Sequence, residues 1–150
     1  MINLKVKKLH PDAVIPTYGT DGAACFDLYA VEANKRPAKA WAVTDFYPVI
    51  FRTGLSFEVP KGWAMLIYSR SGHGFKNDVR LANCVGVIDA DFCGELMVKL
   101  TGDTHSQLAI KPGDRIAQGM LVPVTKVHFE EVQELSETVR GVGGFGSTGA

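Results

Sequence analysis

Glycine and proline cut this chain into pieces too short for long helices, with 16 Gly and 7 Pro spread over 150 residues. Continuing a helix through one costs about 1 kcal/mol for Gly and about 3 kcal/mol for Pro, relative to Ala. The runs between them carry the period of a strand. "INLKVKKL" (2–9) alternates Ile2, Leu4 and Val6 with polar neighbours, and "GELMVKL" (94–100) puts Leu96, Val98 and Leu100 on one face. "MLIYS" (65–69) reads as a continuously buried strand, while "PKGW" (60–63) and "KPGD" (111–114) are turns by composition. The longest stretch without either breaker, Val124 to Arg140, opens with Val127 and Phe129 at strand period. It then drifts into Val132, Leu135 and Val139, which fit one helical face, so its pattern leaves both states open. Many short strands between regular turns point to an all-β barrel or sandwich.

A chain of this length is most simply one domain and buries roughly 70% of the surface its unfolded form exposes. Sixteen basic and sixteen acidic residues cancel, which argues against long nucleic acid or a membrane surface as partner but leaves room for a small charged ligand. "MINLKVKKLHPDAVIPTYG" has no apolar leader core, and no stretch approaches a membrane span, so a soluble intracellular protein is expected. Cys25, Cys84 and Cys93 are odd in number and lack metal-ligand spacing. They are expected to be reduced, buried and apolar in role. Trp41 and Trp63 read as core, and His73, His105 and His128 as surface residues outside any ligand set.

Four stretches carry chemistry. In "YSRSGHGFK" (68–76), a strand followed by Arg70, Ser71 and Gly72 brings a cation, a hydroxyl and backbone N–H groups to a strand end. That suits an oxyanion, although an ordinary polar turn explains one tripeptide better. In "NCVGVIDADFCGEL" (83–96), an apolar run interrupted by Gly86 leads to Asp89 and Asp91. A carboxylate there serves either as a general base beside a ligand slot or as the solvated turn of a hairpin. "PGDRIAQ" (112–118) offers Arg115 and Gln118, which an outward polar strand face also explains. Finally, "RGVGGFGSTGA" (140–150) has the glycine spacing of a phosphate loop. The helix that such loops need cannot form two residues from the end, and Ser147 stands where a P-loop has lysine.

Taken together and in order, "CFDL" (25–28), "RSG" (70–72), "GVIDADFCGE" (86–95), "GDRIAQ" (113–118) and "RGVGGFGSTG" (140–149) resemble the five motifs of the homotrimeric dUTPase family. The resemblance runs from about Pro16 to the end of the chain. It implies a distorted jelly-roll β-barrel over residues 1–139, with 140–150 as a flexible glycine-rich arm closing over a site shared between subunits of a homotrimer. The implied reaction is hydrolysis of dUTP to dUMP and pyrophosphate with Mg2+ held by the phosphates, in the cytoplasm, or the host's cytoplasm for a viral source. Asp89 matches the carboxylate that deprotonates the attacking water. Arg70, Ser71 and Gly72 match the phosphate grip, and Gln118 matches the glutamine that binds an α-phosphate oxygen or the attacking water. Arg140, Gly146 and Ser147 match the arm's hold on the γ-phosphate, and Phe145 its stacking ring. Asp27 matches an aspartate that reaches the metal through water only. Asn83 with the backbone of Gly86, Val87 and Ile88 would imitate a pairing partner for uracil inside a tight hairpin.

Three positions depart from the family pattern. Phe92 replaces the usual tyrosine beneath the deoxyribose, and Cys25 replaces a common glycine. Residues 32–50 replace a short Pro-Gly turn with a longer loop or hairpin, the natural surface for a protein partner. Two other readings compete: a dCTP deaminase, which lacks such an arm, and a regulatory binding protein on the same scaffold.

Overall fold

A computed structural model describes residues 2–33, 41–43, 48–103 and 108–149. The order of elements is β1 (Lys5–Lys8), β2 (Phe26–Tyr29), β3 (Glu32–Ala33), β4 (Trp41–Val43), β5 (Val49–Glu58), β6 (Trp63–Tyr68), α1 (Ser71–Asn77), β7 (Val79–Leu81), β8 (Val85–Ile88), β9 (Glu95–Gly102), β10 (Leu108–Ile110) and β11 (Arg115–Pro123). The all-β expectation is borne out, and α1 is the only helix among the described residues. One sheet runs β1-β5-β9-β7 with β3 also paired to β5, a second runs β2-β11-β6-β8, and β4 pairs with β10. Residues 34–40 and 44–47, most of the unusual 32–50 segment, lie outside the described residues.

Strand alternation fills the core as the sequence predicts. In β9, Leu96, Val98 and Leu100 are buried while Met97 and Lys99 face out. β6 alternates as well, with Met65 and Ile67 inside and Leu66 and Tyr68 only half-buried, instead of being buried throughout. The buried residues of both strands join Leu28, Phe51, Leu55, Leu81, Ile110 and Ile116 in one cluster, with half-buried Trp63 packed against it. Each large side chain removed from water contributes about 1.5–3 kcal/mol. Both composition-based turns form, closed by Trp63 N–H to Pro60 O at 3.0 Å and Asp114 N–H to Lys111 O at 3.0 Å.

The middle of β5 is a bulge, its register against β9 shifting between Arg52 and Ser56. Gly54 makes it possible: its φ is +66°, and a Cβ there would lie 2.7 Å from His10 Cβ and 3.0 Å from Ala13 Cβ. The bulge also supplies the anchors for the start of β9. Arg52 forks onto Glu95 (Nε to Oε2 2.9 Å, Nη2 to Oε2 2.8 Å) and reaches Glu32 through Nη1 at 2.7 Å. Thr53 Oγ1 donates to Leu96 O at 2.7 Å, and Ser56 Oγ donates to Cys93 O at 2.7 Å.

Several local expectations need correcting. Cys84 and Cys93 are exposed and Cys25 is half-buried, so the three thiols are not core residues. Both exposed cysteines lie outside the strands, Cys84 in the bend before β8 and Cys93 two residues before β9. Burial first, and the charge of Asp27 second, push the Cys25 thiol up from its ordinary range. Gly72 does not make a sharp turn but lies in the first turn of α1. Past Val124, whose N–H reaches Gly62 O at 2.8 Å, the ambiguous run forms neither strand nor helix. Val127, Phe129, Leu135 and Val139 are left exposed, because an amphipathic segment needs a surface to pack on. His128 is exposed, while His105 and the Trp41 side chain lie outside the described residues. Among the described residues no helix is long and apolar enough to cross a membrane.

Candidate active site

Three strands bring the first group of residues together. In the register of β2, β11 and β6, Gln118 stands opposite Asp27 on one side and Tyr68 on the other. All three are half-buried on the face away from Leu28, Ala117 and Ile67, which enter the core. Regular strand period would put Arg115, three residues before Gln118, on the opposite face. A bulge between Arg115 and Ala117 instead places Arg115 opposite Tyr29, on the face of Asp27. Its Nη1 then donates to Asp27 Oδ2 at 3.1 Å. Arg70, just past the end of β6, donates through Nε to Asp27 Oδ1 at 3.2 Å. Two guanidinium groups thus converge on one carboxylate whose side chain is 14% exposed.

Polar contacts fix the backbone around this cluster. Gln118 Nε2 donates to Ser69 O at 3.0 Å, and Ser69 Oγ accepts from Leu81 N–H at 2.9 Å. His73 Nε2 donates to Arg115 O at 2.7 Å, tying α1 to β11. A cleft of about 480 Å³ opens here between Ser69, Arg70, Ser71, Gly74, Phe75, Asp78 and Gln118. Of these residues Arg70, Ser71 and Gln118 are the ones the sequence pointed to. The sequence alone makes Arg115 a polar strand residue and His73 plain surface, because neither the bulge nor the α1 contact has a local sequence signal.

The second group sits elsewhere. Asn83, Gly86, Val87 and Ile88 line a separate cavity of about 480 Å³ together with Ile67, Leu81, Met97 and Lys99. It is not the interior of a tight hairpin: β7 pairs with β9 and β8 pairs with β6, so the chain crosses between sheets through residues 82–84. Gly86 packs directly on Ile67, where a Cβ would lie 3.2 Å from the Ile67 Cβ. β8 is the outermost strand of its sheet, so its far edge has no strand partner among the described residues. The turn beyond it is closed by Phe92 N–H to Asp89 O at 3.2 Å. Asp89 and Phe92 are both exposed.

Register sets the distance between the two groups. Val85 stands opposite Tyr68 and Ile88 opposite Met65, so Asp89 is level with Ala64 while Arg70 lies six residues further along. At about 3.3 Å per residue the gap is roughly 20 Å. One chain therefore does not bring Asp89 to Arg70.

The third group, Arg140, Phe145, Gly146 and Ser147, forms consecutive turns closed by Gly143 N–H to Arg140 O at 3.1 Å and Ser147 N–H to Gly144 O at 3.1 Å. Arg140 Nε donates to Gly143 O at 2.8 Å, and among the described residues the hydrogen bonds of 140–149 stay within 138–149. Among the described residues, no group of three or more His, Cys, Asp or Glu is placed to hold a metal ion.

Comparison with known proteins gives one consistent result. The family model for dUTPase matches residues 11–149. A deoxyuridine 5'-triphosphate nucleotidohydrolase of Helicobacter hepaticus is 43% identical over 148 residues, covering 99% of this chain and 89% of that protein. The protein of the same name from Nautilia profundicola is 41% identical over 149 residues, covering 99% of both. Among solved structures, the dUTPase of Staphylococcus bacteriophage 80alpha with dUPNHPP superposes with a TM-score of 0.82 at 24% identity over 100% of both chains. A dUTPase from phage phi11 of S. aureus, solved with a structural Mg(II) ion, has a TM-score of 0.74 at 20% identity, covering 89% of this chain and 98% of that one. These last two likenesses concern the fold. With its five motifs in order, a match from residue 11 to 149 and an all-β fold shared with solved dUTPases, this chain belongs to the dUTPase family.

Proposed function

We propose that this chain hydrolyses dUTP to dUMP and pyrophosphate, limiting uracil entry into DNA and supplying dUMP. The observation that carries the reading is the pair Arg70 and Arg115 converging on Asp27, beside Gln118 and an open cleft. Two guanidinium charges against one carboxylate leave a positive surplus. A polyphosphate complements it, with guanidinium forks matched to phosphate oxygens. Arg70 and Ser71, with the Gly72 backbone, grip the phosphates around the bond to be broken, and Gln118 faces the α-phosphate. Asp89 takes a proton from water as its oxygen attacks the α-phosphorus. The bond from that phosphorus to the bridging oxygen breaks, and pyrophosphate leaves with the electron pair.

Mg2+, when bound with the substrate, would supply charge neutralisation. Asp27 suits a contact to a water of that ion, since each carboxylate oxygen accepts one arginine donor and keeps a further lone pair. Uracil suits the free edge of β8, where backbone N–H and C=O groups from Gly86 to Ile88 alternate as the pyrimidine's own edge does. Asn83 adds a side-chain amide at the same cavity. Phe92 lies against the deoxyribose, leaving no partner for a 2′-hydroxyl. Arg140, Gly146 and Ser147 close over the γ-phosphate, with Phe145 stacked on the base. Residues 1–139 are then the body and 140–150 the closing arm.

The gap between Asp89 and Arg70 supports a homotrimer in which neighbouring subunits supply the two halves of each site. A cytoplasmic nucleotide pool is the setting such a substrate implies. The test is pyrophosphate release from dUTP, dCTP, dTTP and UTP, each with Mg2+ or with EDTA. Release from dUTP with Mg2+ and little from the others is expected. Ammonia from dCTP without pyrophosphate would replace this reading with a deaminase.

A further inference from the structure

Gly94 is a glycine for reasons of space. Its φ is not positive, so φ by itself does not call for glycine. A Cβ built on it would fall 2.7 Å from Phe92 Cζ, 2.9 Å from Cε2 and 3.6 Å from Cε1. Carbon atoms pack at about 3.5–4.0 Å, so the ring of Phe92 lies directly on the Gly94 backbone. We infer that Gly94 is a positioning residue for sugar recognition: it is the floor that sets the height of the Phe92 ring. The inference rests on the sugar-facing reading of Phe92 above.

The backbone on either side of Gly94 is held to the β5 bulge and does not give way. Cys93 O accepts from Ser56 Oγ at 2.7 Å, and Ser56 is buried. Glu95 is gripped by Arg52 and accepts from Gly54 N–H at 3.0 Å, and Leu96 O accepts from buried Thr53 at 2.7 Å. The Phe92 ring is the soft partner, being 44% exposed at the end of one side chain. A methyl group at position 94 therefore lifts the ring outward, toward the sugar, and leaves the fold in place. Most glycines in a turn are explained by backbone freedom. This one is set by the ring above it.

The experiment is a double-mutant cycle of wild type, Gly94→Ala, Phe92→Ala and the double variant. Each is measured for kcat and KM with dUTP and with UTP, and for melting temperature. Gly94→Ala is expected to melt close to wild type and raise KM for dUTP at least fivefold with kcat within twofold. In the Phe92→Ala background, where no ring remains to be lifted, the same substitution is expected to change KM by less than twofold. An unchanged KM in Gly94→Ala, or an equal effect in both backgrounds, overturns the role of Gly94. If Phe92→Ala leaves the UTP-to-dUTP ratio of kcat/KM unchanged, the sugar reading of Phe92 is refuted, and the inference with it. If Phe92→Ala raises that ratio while Gly94→Ala is silent, only the inference falls.

Discussion

On the proposed mechanism Asp89 handles the proton while Arg115 places charge at Asp27, and substitution separates the two. Asp89→Asn keeps shape and hydrogen-bonding reach but removes basicity. Turnover is expected to fall by ~10²–10⁴-fold, the usual worth of a positioned general base, with KM changing far less. A variant retaining more than a tenth of wild-type kcat means that another group takes the proton. Arg115→Gln removes one of the two donors from Asp27. The Arg115 side chain is 50% exposed, so solvent screening holds the stability loss to about 1 kcal/mol or less. Its main effect is expected on KM for dUTP, severalfold upward, because Asp27 then pulls on Arg70 alone. Steady-state kinetics of the two variants should split cleanly, kcat for Asp89 and KM for Arg115.

At the scale of elements, the segment 140–149 contributes to no core among the described residues. It forms its own turns, and its side chains, Phe145 among them, are exposed. Deleting 140–150 is therefore expected to leave the melting temperature almost unchanged, since a glycine-rich end packed on nothing stabilises nothing. Catalysis is expected to collapse, because Arg140 and Ser147 leave with the segment and water is no longer excluded from the phosphates. Limited proteolysis checks the same idea without a deletion. Cleavage in 140–149 should slow with a non-hydrolysable dUTP analogue and Mg2+, and slow less with dUMP, which has no γ-phosphate to hold. Equal cleavage rates with and without the analogue would show that the segment does not close.

The whole molecule poses the problem that the single chain leaves open: Asp89 and Arg70, which the proposed reaction needs together, stand at opposite ends of β6. In the proposed homotrimer, rotational closure would bring one end against the other and repeat the contact at every interface. Mixing two inactive variants tests this directly. When Asp89→Asn and Arg70→Gln are co-expressed, roughly a quarter of the sites in randomly mixed oligomers combine an intact Asp89 with an intact Arg70 from a neighbour. Activity should therefore reappear in the mixture and be absent from either variant alone. If the mixture stays as inactive as its parents, each site is built within one chain. Light scattering at assay concentration gives the companion measurement, with a trimer expected.

Much was legible because it was local. Alternation of apolar residues in β9 and glycine-proline turns at 60–63 and 111–114 mark strands and their ends without reference to anything distant. The five motifs name Asp27, Arg70, Asp89, Gln118 and Arg140 because each chemistry requires its own residue type. What stayed hidden depends on pairings between remote parts of the chain. Arg115 joins Asp27 only because a bulge in β11 turns it to that face. His73 meets β11 only because α1 packs there, and Gly94 matters only because a ring rests on it. The exposed cysteines belong to the same class, since exposure is decided by which strands find neighbours. By itself the sequence determined strand period, turn positions and the chemical inventory, all of which act within a few residues. Tertiary structure alone decided register and bulges, because a one-residue shift in pairing sends every side chain to the opposite face.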